Sequence, residues 1–127
     1  MALDPVNIEY RTNLGAVLAE LNQYDRAVAE LSKVTASPGY ASATAWIYLG
    51  GAHLGAKKYK EASAALEKAI AIAPEEVMAQ AYMAWSCLGL KDAANFKKYG
   101  AKARSLGYKD PTFLERLSKV EAGEAIK

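Results

Sequence analysis

Two segments of this chain repeat one another at an offset of 35 residues. Residues 23–31 and 58–66 carry a tyrosine, two alanines and a leucine at matching places, and the same offset brings Gly15 onto Gly50. A period of about 33–35 residues is typical of stacked helical pairs, in which each unit buries its apolar face only against its neighbours. Because such a fold consists of helices joined by short turns, the repeat predicts an all-α architecture.

Proline, glycine and acidic residues divide the chain into short helices. Asp4 and Asp110 each precede a proline, which combines a helix N-cap with proline at the first helical position. Pro38 and Gly39 interrupt the chain between the first two helical pairs, and Pro74 precedes the third pair. No segment shows sustained strand alternation. We therefore predict seven helices, near residues 5–21, 24–36, 41–54, 59–72, 75–89, 92–106 and 111–122.

The second repeated unit resembles the tetratricopeptide repeat (TPR), whose pattern is W-x2-L-G-x2-Y…A-x3-F…P. Its motif positions are filled by Trp46, Leu49, Gly50, His53, Ala62, Leu66, Ala69 and Pro74. Histidine replaces the tyrosine of the pattern and leucine replaces the phenylalanine, at positions that in the family pack between helices. The motif glycine of the family lies where the two helices of a pair cross, so the resemblance implies a close backbone approach at Gly50.

The resemblance implies a right-handed TPR α-solenoid of stacked antiparallel helix pairs. The flanking units match the motif more weakly, which is expected of the terminal repeats of a solenoid. We therefore expect one TPR domain over residues 1–127, with repeats at 8–41, 43–76 and 77–110 and a capping helix at 111–122.

The last predicted helix is amphipathic. Phe113, Leu114, Leu117 and Val120 recur at helical spacing in this segment, and its charged residues lie on other faces. We expect the apolar face to cover the flank of the third repeat, because the end of a solenoid needs a polar outer surface. Association of this helix with another copy of the chain is the alternative.

Charge and hydropathy argue against several other classes of protein. The net charge of +2 is too small to predict a nucleic-acid partner, and the Trp-x-x-Leu-Gly start is foreign to pentatricopeptide RNA-binding repeats of similar period. No apolar stretch reaches the roughly 18 residues that span a bilayer, so no membrane insertion is expected. The first twenty residues do not read as a signal peptide. We expect a cytoplasmic protein if Met1 is the native start, while export or a place in a larger protein stays open.

In the TPR family the first helix of each pair lines a concave groove that contacts ligands. By alignment, the groove residues expected to bind a partner are Thr12, Ile47, Tyr48, Gly51, Leu54, Met78, Tyr82, Trp85 and Leu88. Most of them are apolar or aromatic, which suits an extended apolar peptide or an amphipathic helix. Tyr82 and Trp85 are the expected hot spots, because rigid aromatic rings supply large contact area. Gly51, Gly55 and Gly89 are expected to leave room for a ligand backbone.

The resemblance therefore implies a non-catalytic protein-interaction module or scaffold that binds a peptide or amphipathic helix. The alternative is a structural element, in which these residues pack against neighbouring helices and the chain self-associates or forms part of a longer TPR array. Some TPR proteins bind the acidic tails of chaperones through a clamp of Lys, Asn and Arg. The aligned positions here are Thr12, Ala16, Tyr48, Met78 and Tyr82, and because none is charged we expect no clamp-type binding of a chaperone tail.

The sequence offers no combination of residues typical of catalysis. His53 is the single histidine and aligns with a packing position, and Cys87 stands where His53 stands one repeat earlier. No phosphate-binding glycine motif occurs. We therefore expect no catalytic residue, metal or cofactor. The lysines at 57, 58 and 60 and at 97, 98 and 102 lie around the second helices and are expected on the convex outer surface, where they keep the protein soluble. Binding of an acidic partner by these lysines is the alternative.

Overall fold

The computed structural model of the protein describes residues 5–37 and 42–126, and these residues form seven helices and no strand. The helices are α1 (Pro5–Glu20), α2 (Tyr24–Thr35), α3 (Ala43–Gly55), α4 (Tyr59–Ile72), α5 (Val77–Gly89), α6 (Ala93–Ser105) and α7 (Pro111–Glu121). Each predicted helix is present, with its bounds within two residues of the prediction. The N-cap predicted at Asp4 and the break predicted at Pro38 and Gly39 lie outside the described residues.

Local hydrogen bonds set where the later helices begin. The Asp110 carboxylate accepts a hydrogen bond from the Phe113 N–H at 3.1 Å, which confirms Asp110 as the N-cap of α7. Helix α5 begins at Val77, two residues later than predicted, since the preceding residues form a turn. The Gln80 side-chain amide donates to the Pro74 carbonyl of that turn at 2.9 Å.

The turn inside each helical pair has the same backbone geometry. Asn22, Lys57 and Lys91 follow the first helices and have φ values of 61°, 62° and 59°, which lie in the left-handed region. The chain then folds back on the helix that has just ended, as where the Lys58 N–H donates to the His53 carbonyl at 2.8 Å. Each pair is therefore joined by one tight turn, and the two helices of the pair lie against each other.

The helices form two layers. α1 contacts α3 and α3 contacts α5, whereas the described residues of α2, α4 and α6 make no such contacts among themselves. The first helices of the pairs therefore form an inner layer and the second helices an outer layer. Within the described residues, no helix combines the length and the apolar character needed to cross a membrane.

Glycine permits the close crossing inside the first two pairs. A Cβ atom added to Gly50 would lie 2.5 Å from Leu66 Cγ, and one added to Gly15 would overlap the side chain of Leu31 in the same way. Leu31 and Leu66 are fully buried against these backbones. The close approach predicted at Gly50 is confirmed, and the packing it permits offsets the helix propensity lost, about 1 kcal/mol.

Helix α7 covers the end of the third pair. Phe113 is fully buried, with its ring centroid 5.2 Å from that of Trp85 and 5.5 Å from that of Phe96, in edge-on arrangements. Both guanidinium NH groups of Arg104 donate to the Glu121 carboxylate, at 2.8 and 3.0 Å. The carboxy-terminal flank of the solenoid is therefore closed by an apolar face with charged side chains outside it.

Candidate functional site

Two clefts adjoin along the inner layer. The amino-terminal cleft encloses about 240 Å³ and is lined by Ala16, Ala19, Glu20, Tyr24, Tyr48, Gly51, Gly55 and Tyr82. The carboxy-terminal cleft encloses about 780 Å³ and is lined by Leu54, Gly55, Lys57, Tyr59, Tyr82, Trp85, Leu88, Gly89, Lys91, Asp110, Thr112 and Arg116. Gly55 and Tyr82 belong to both clefts, so the two form one continuous groove on the first helices.

Tyr82 stands where the clefts meet. Its half-buried ring lies against the backbone of α3, where a Cβ atom added to Gly51 would be 3.0 Å from Tyr82 Cε2. Burial raises the pKa of the Tyr82 phenol, and the nearby phenols of Tyr108 and Tyr48 raise it further. Tyr82 therefore stays protonated at neutral pH and presents an apolar ring with a hydrogen-bonding tip.

The prediction that Gly55 and Gly89 leave room for a ligand backbone is wrong. A Cβ atom added to Gly89 would lie 2.5 Å from Tyr59 Cδ1, and one added to Gly55 would overlap the ring of Tyr24. Each of these tyrosines begins the second helix of the preceding pair, so its ring spans the junction between two repeats. The space that a side chain at either glycine would occupy is filled by the protein itself, and only their backbones line the clefts.

Most of the other predicted groove residues line the clefts. Tyr48, Gly51 and Leu54 do so from α3, and Trp85 and Leu88 do so from α5. Leu88 is only 9 % exposed and therefore forms the floor of the carboxy-terminal cleft.

Three predicted residues lie outside both clefts. Ile47 is 8 % exposed and packs against Ala69 and Ala79 between the second and third repeats. The Thr12 hydroxyl donates to a carbonyl of its own helix, that of Ile8, at 2.7 Å. Met78 is exposed near the start of α5. The structure thus brings the central part of the predicted set together and leaves these three apart.

Trp85 has a structural role in addition to lining the carboxy-terminal cleft. Its indole N–H donates to the Tyr108 hydroxyl at 3.1 Å, and its ring meets the edge of the Phe113 ring. These contacts fix the Trp85 side chain and hold α7 against α5. A change at Trp85 therefore alters both the cleft and the capping helix.

Basic side chains at the carboxy-terminal cleft were missed by the sequence reasoning. Lys57, Lys91 and Arg116 line this cleft with the single acid Asp110, whose carboxylate already accepts the N-cap hydrogen bond of α7. None of the three basic groups forms an ion pair with a described residue. Lys57 was expected on the convex surface, but the turn that carries it lies at the edge of the groove. In the sequence, Lys57 and Lys91 occupy the same place in successive repeats, two residues after Gly55 and Gly89, and this correspondence is the signal that could have placed them together.

The single histidine and the single cysteine lie in the packing between helices. Burial lowers the pKa of His53, against the effect of Glu61, and its buried Nδ1 atom has no hydrogen-bond partner among the described residues. Burial, helped by Asp92, raises the pKa of the Cys87 thiol to about 11. Across the part of the chain that the structure describes, no three His, Cys, Asp or Glu side chains are grouped as metal ligands.

Residues 43–76 match the family model of the tetratricopeptide repeat, which are the residues predicted for the second repeat. The fold matches solved TPR domains over nearly its whole length. The first TPR domain of Spaghetti (RPAP3), bound to the HSP90 peptide SRMEEVD, has a TM-score of 0.84 and 16% identity, over 96% of each chain. The second TPR domain of human RPAP3, in complex with the HSP70 peptide SGPTIEEVD, has a TM-score of 0.78 and 20% identity, over 91% of this chain and 96% of that one.

The TPR domain of Arabidopsis OM64 has a TM-score of 0.83 and 18% identity, over 92% of this chain and 96% of that one. A comparison with curated protein sequences finds no match. At these identities the likeness establishes the fold alone. TPR domains are generally non-catalytic interaction modules.

The prediction that this chain does not bind chaperone tails conflicts with the two peptide complexes. It rested on the uncharged side chains at the aligned clamp positions, Thr12, Ala16, Tyr48, Met78 and Tyr82. Two domains of the same fold are bound to the acidic peptides SRMEEVD and SGPTIEEVD, and the groove of this chain carries basic groups at other positions. The uncharged clamp positions therefore do not exclude an acidic tail.

Proposed function

We propose that this chain, a tetratricopeptide repeat protein by the motif at residues 43–76 and by its fold, is a non-catalytic module that binds a peptide segment of a partner protein. The observation that carries the proposal is the continuous groove formed by the two clefts, with the Tyr82 ring at its centre. Grooves with aromatic walls and a few polar groups at the rim are typical of peptide recognition.

The two ends of the groove differ in chemistry. The carboxy-terminal cleft has an apolar wall of Leu54, Trp85 and Leu88, with Lys57 and Lys91 among its basic groups. This arrangement fits a peptide that places an apolar side chain in the cleft and an acidic residue beside it, because complementary charges set the register and increase the association rate. The acidic peptides bound by the two similar TPR domains agree with this preference.

Selection from a random peptide library displayed on phage tests the proposal. We expect the enriched peptides to combine an apolar residue with Asp or Glu, and Tyr82→Ala to weaken their binding at least about tenfold, or about 1.4 kcal/mol. Tyr48→Ala, at a more exposed position, serves if Tyr82→Ala fails to fold. Ile72→Ala is the matched control, because Ile72 is 54 % exposed on α4 and lies outside both clefts. Enrichment that is equal on the Tyr82→Ala protein would overturn the proposal.

The contribution of Lys57 and Lys91, two basic residues of the carboxy-terminal cleft, is measured separately. Fluorescently labelled SRMEEVD, the HSP90 peptide seen with a similar domain, is a defined acidic probe. We expect Lys57→Gln combined with Lys91→Gln to weaken the binding of acidic peptides severalfold, to reduce its salt dependence and to leave neutral selected peptides unaffected. Equal loss for acidic and neutral peptides would show that the lysines do not select charge.

A further inference from the structure

A row of large apolar side chains lies exposed on α1. Tyr10 is 65 % exposed, Val17 is 50 % exposed and Leu21 is 61 % exposed, and the half-buried Leu14 lies between them. Leu21 follows the last residue of α1 but continues its hydrogen bonding, because its N–H donates to the Val17 carbonyl at 3.0 Å. We call these four residues the α1 row. Their spacing of four, three and four residues is that of a helix–helix seam.

The positions that correspond to Tyr10 in the second and third repeats are small and covered. Tyr10 corresponds to Ala45 and Ala79, which are both fully buried. Ala45 packs against Ile8 and Val34 of the first pair, and Ala79 packs against residues of the second pair. These positions therefore receive the preceding repeat.

Val17, about two helical turns after Tyr10, shows the same contrast with the later repeats. It corresponds to Ala52 and Ser86, which are fully buried, and Ala52 packs against Leu18 and Ala27 of the first pair. A small side chain at each of these positions lets the preceding repeat approach. Tyr10 and Val17 fill that space in the first repeat, so another repeat stacked in the same way would overlap them.

We propose that the α1 row is the contact with α1 of a second copy of this chain, in an antiparallel pair about a two-fold axis. The row is apolar throughout, and its spacing of four, three and four residues reads the same in both directions. Antiparallel pairing therefore sets Tyr10 of one copy against Leu21 of the other, and Leu14 against Val17. Asn13 and Glu20 flank the row on its solvent side. Across the axis each Glu20 carboxylate meets an Asn13 amide and not a second carboxylate.

The pair is weak and leaves the groove open. Four side chains from each copy bury less than the roughly 1,200 Å² of a stable interface, so the dimer depends on concentration. The α1 row lies on a different face of α1 from Ala16 and Ala19, which line the amino-terminal cleft, and Glu20, which also lines this cleft, lies at the border between the two surfaces. A dimer of this kind presents two grooves, and two linked sites hold a partner with repeated binding segments more tightly than one.

Sedimentation velocity from micromolar to millimolar protein tests the pairing. We expect the wild type to pass from monomer to dimer, Val17→Lys to stay monomeric, and Ile72→Lys to behave as the wild type. Ile72 is a matched control because it is exposed to a similar extent, 54 %, on α4. A wild type that stays monomeric throughout, or a dimer that survives Val17→Lys, would overturn the proposal.

Disulfide trapping tests the antiparallel direction of the two α1 helices, which sedimentation does not report. A mixture of Tyr10→Cys and Leu21→Cys chains should give the mixed disulfide under mild oxidation, whereas either variant alone should give little. Cys87 is 5 % exposed and does not compete, as the wild type treated alongside will show. Self-linked Tyr10→Cys in place of the mixed product would contradict the antiparallel pair.

Discussion

At the scale of single residues, a tyrosine of one repeat lies over a glycine of the next. The pair Tyr24 and Gly55 and the pair Tyr59 and Gly89 occupy corresponding places in successive repeats. Both rings pack across the junction between neighbouring repeats, and both also line the groove. The glycines therefore serve the stacking of repeats, and the rings that cover them belong to the binding surface.

Gly89→Ala should lower the free energy of unfolding by about 1–3 kcal/mol, because the added methyl group would overlap the Tyr59 ring. Alanine is the better helix former by about 1 kcal/mol in a helix interior and by less at Gly89, the last residue of α5, so helix propensity alone predicts the opposite sign. Urea titration followed by circular dichroism measures the change. In a Tyr59→Ala background the same substitution should cost little, and an equal cost there would contradict the proposed contact.

His53 should make the protein less stable in mild acid. Because burial lowers its pKa in the folded state, the unfolded chain binds more protons once the pH falls below about 6.5, the ordinary value. The stability present above that value is lost as the pH falls towards the pKa of the folded state. When the pH is lowered from above 6.5 to below it, the urea midpoint of unfolding should therefore fall less for His53→Gln than for the wild type. If the urea midpoints of the two proteins fell equally with pH, His53 would not be the cause of the loss of stability in mild acid.

At the scale of helices, α7 is held by three buried side chains, Phe113, Leu117 and Val120, of which Phe113 is the largest. Phe113 contacts Trp85, Phe96 and Tyr108 through the edges of their rings, with the Tyr108 centroid 5.0 Å away. The ion pair of Arg104 with Glu121 lies outside this cluster and is partly exposed. The aromatic cluster and the buried Leu117 and Val120 therefore carry most of the attachment, because exposed ion pairs contribute little.

Phe113→Ala should lower the free energy of unfolding by about 3 kcal/mol and free α7 from the solenoid. Hydrogen exchange should show the α7 amides exposed while those of α3 and α4 stay protected. Lys119→Ala on the exposed face of α7 is the control and should change neither quantity. Full protection of α7 in Phe113→Ala would mean that other contacts hold the helix.

The helices were predictable because their signals are local. The spacing of apolar residues and caps such as Asp110 act within one or two turns of chain. The groove required more, since Ile47 has the periodicity of a groove residue but packs against the following repeat. Tyr59 reaches Gly89 across 30 residues, and Arg116 reaches the cleft only through the placement of α7. Contacts between residues so far apart in the sequence depend on how the repeats stack, and the stacking cannot be deduced from the spacing of residues.

At the scale of the whole molecule, the two ends of the solenoid differ and the groove lies between them. The carboxy-terminal flank is closed by α7, and the amino-terminal flank exposes Tyr10, Val17 and Leu21. The inner layer of α1, α3 and α5 lines the groove with support from α7. Peptide capture and pairing of two copies would therefore use surfaces that meet only at Glu20, and substitutions away from Glu20 test them one at a time.

Chemical-shift mapping of the ¹⁵N-labelled chain with a library-selected peptide tests the central claim most directly. We predict that the largest changes fall on amides along the groove, at Tyr48, Gly51, Gly55, Tyr82 and Gly89, and that they saturate together with one dissociation constant. Changes confined to the outer helices α2, α4 and α6, with the groove amides unmoved, would contradict the account.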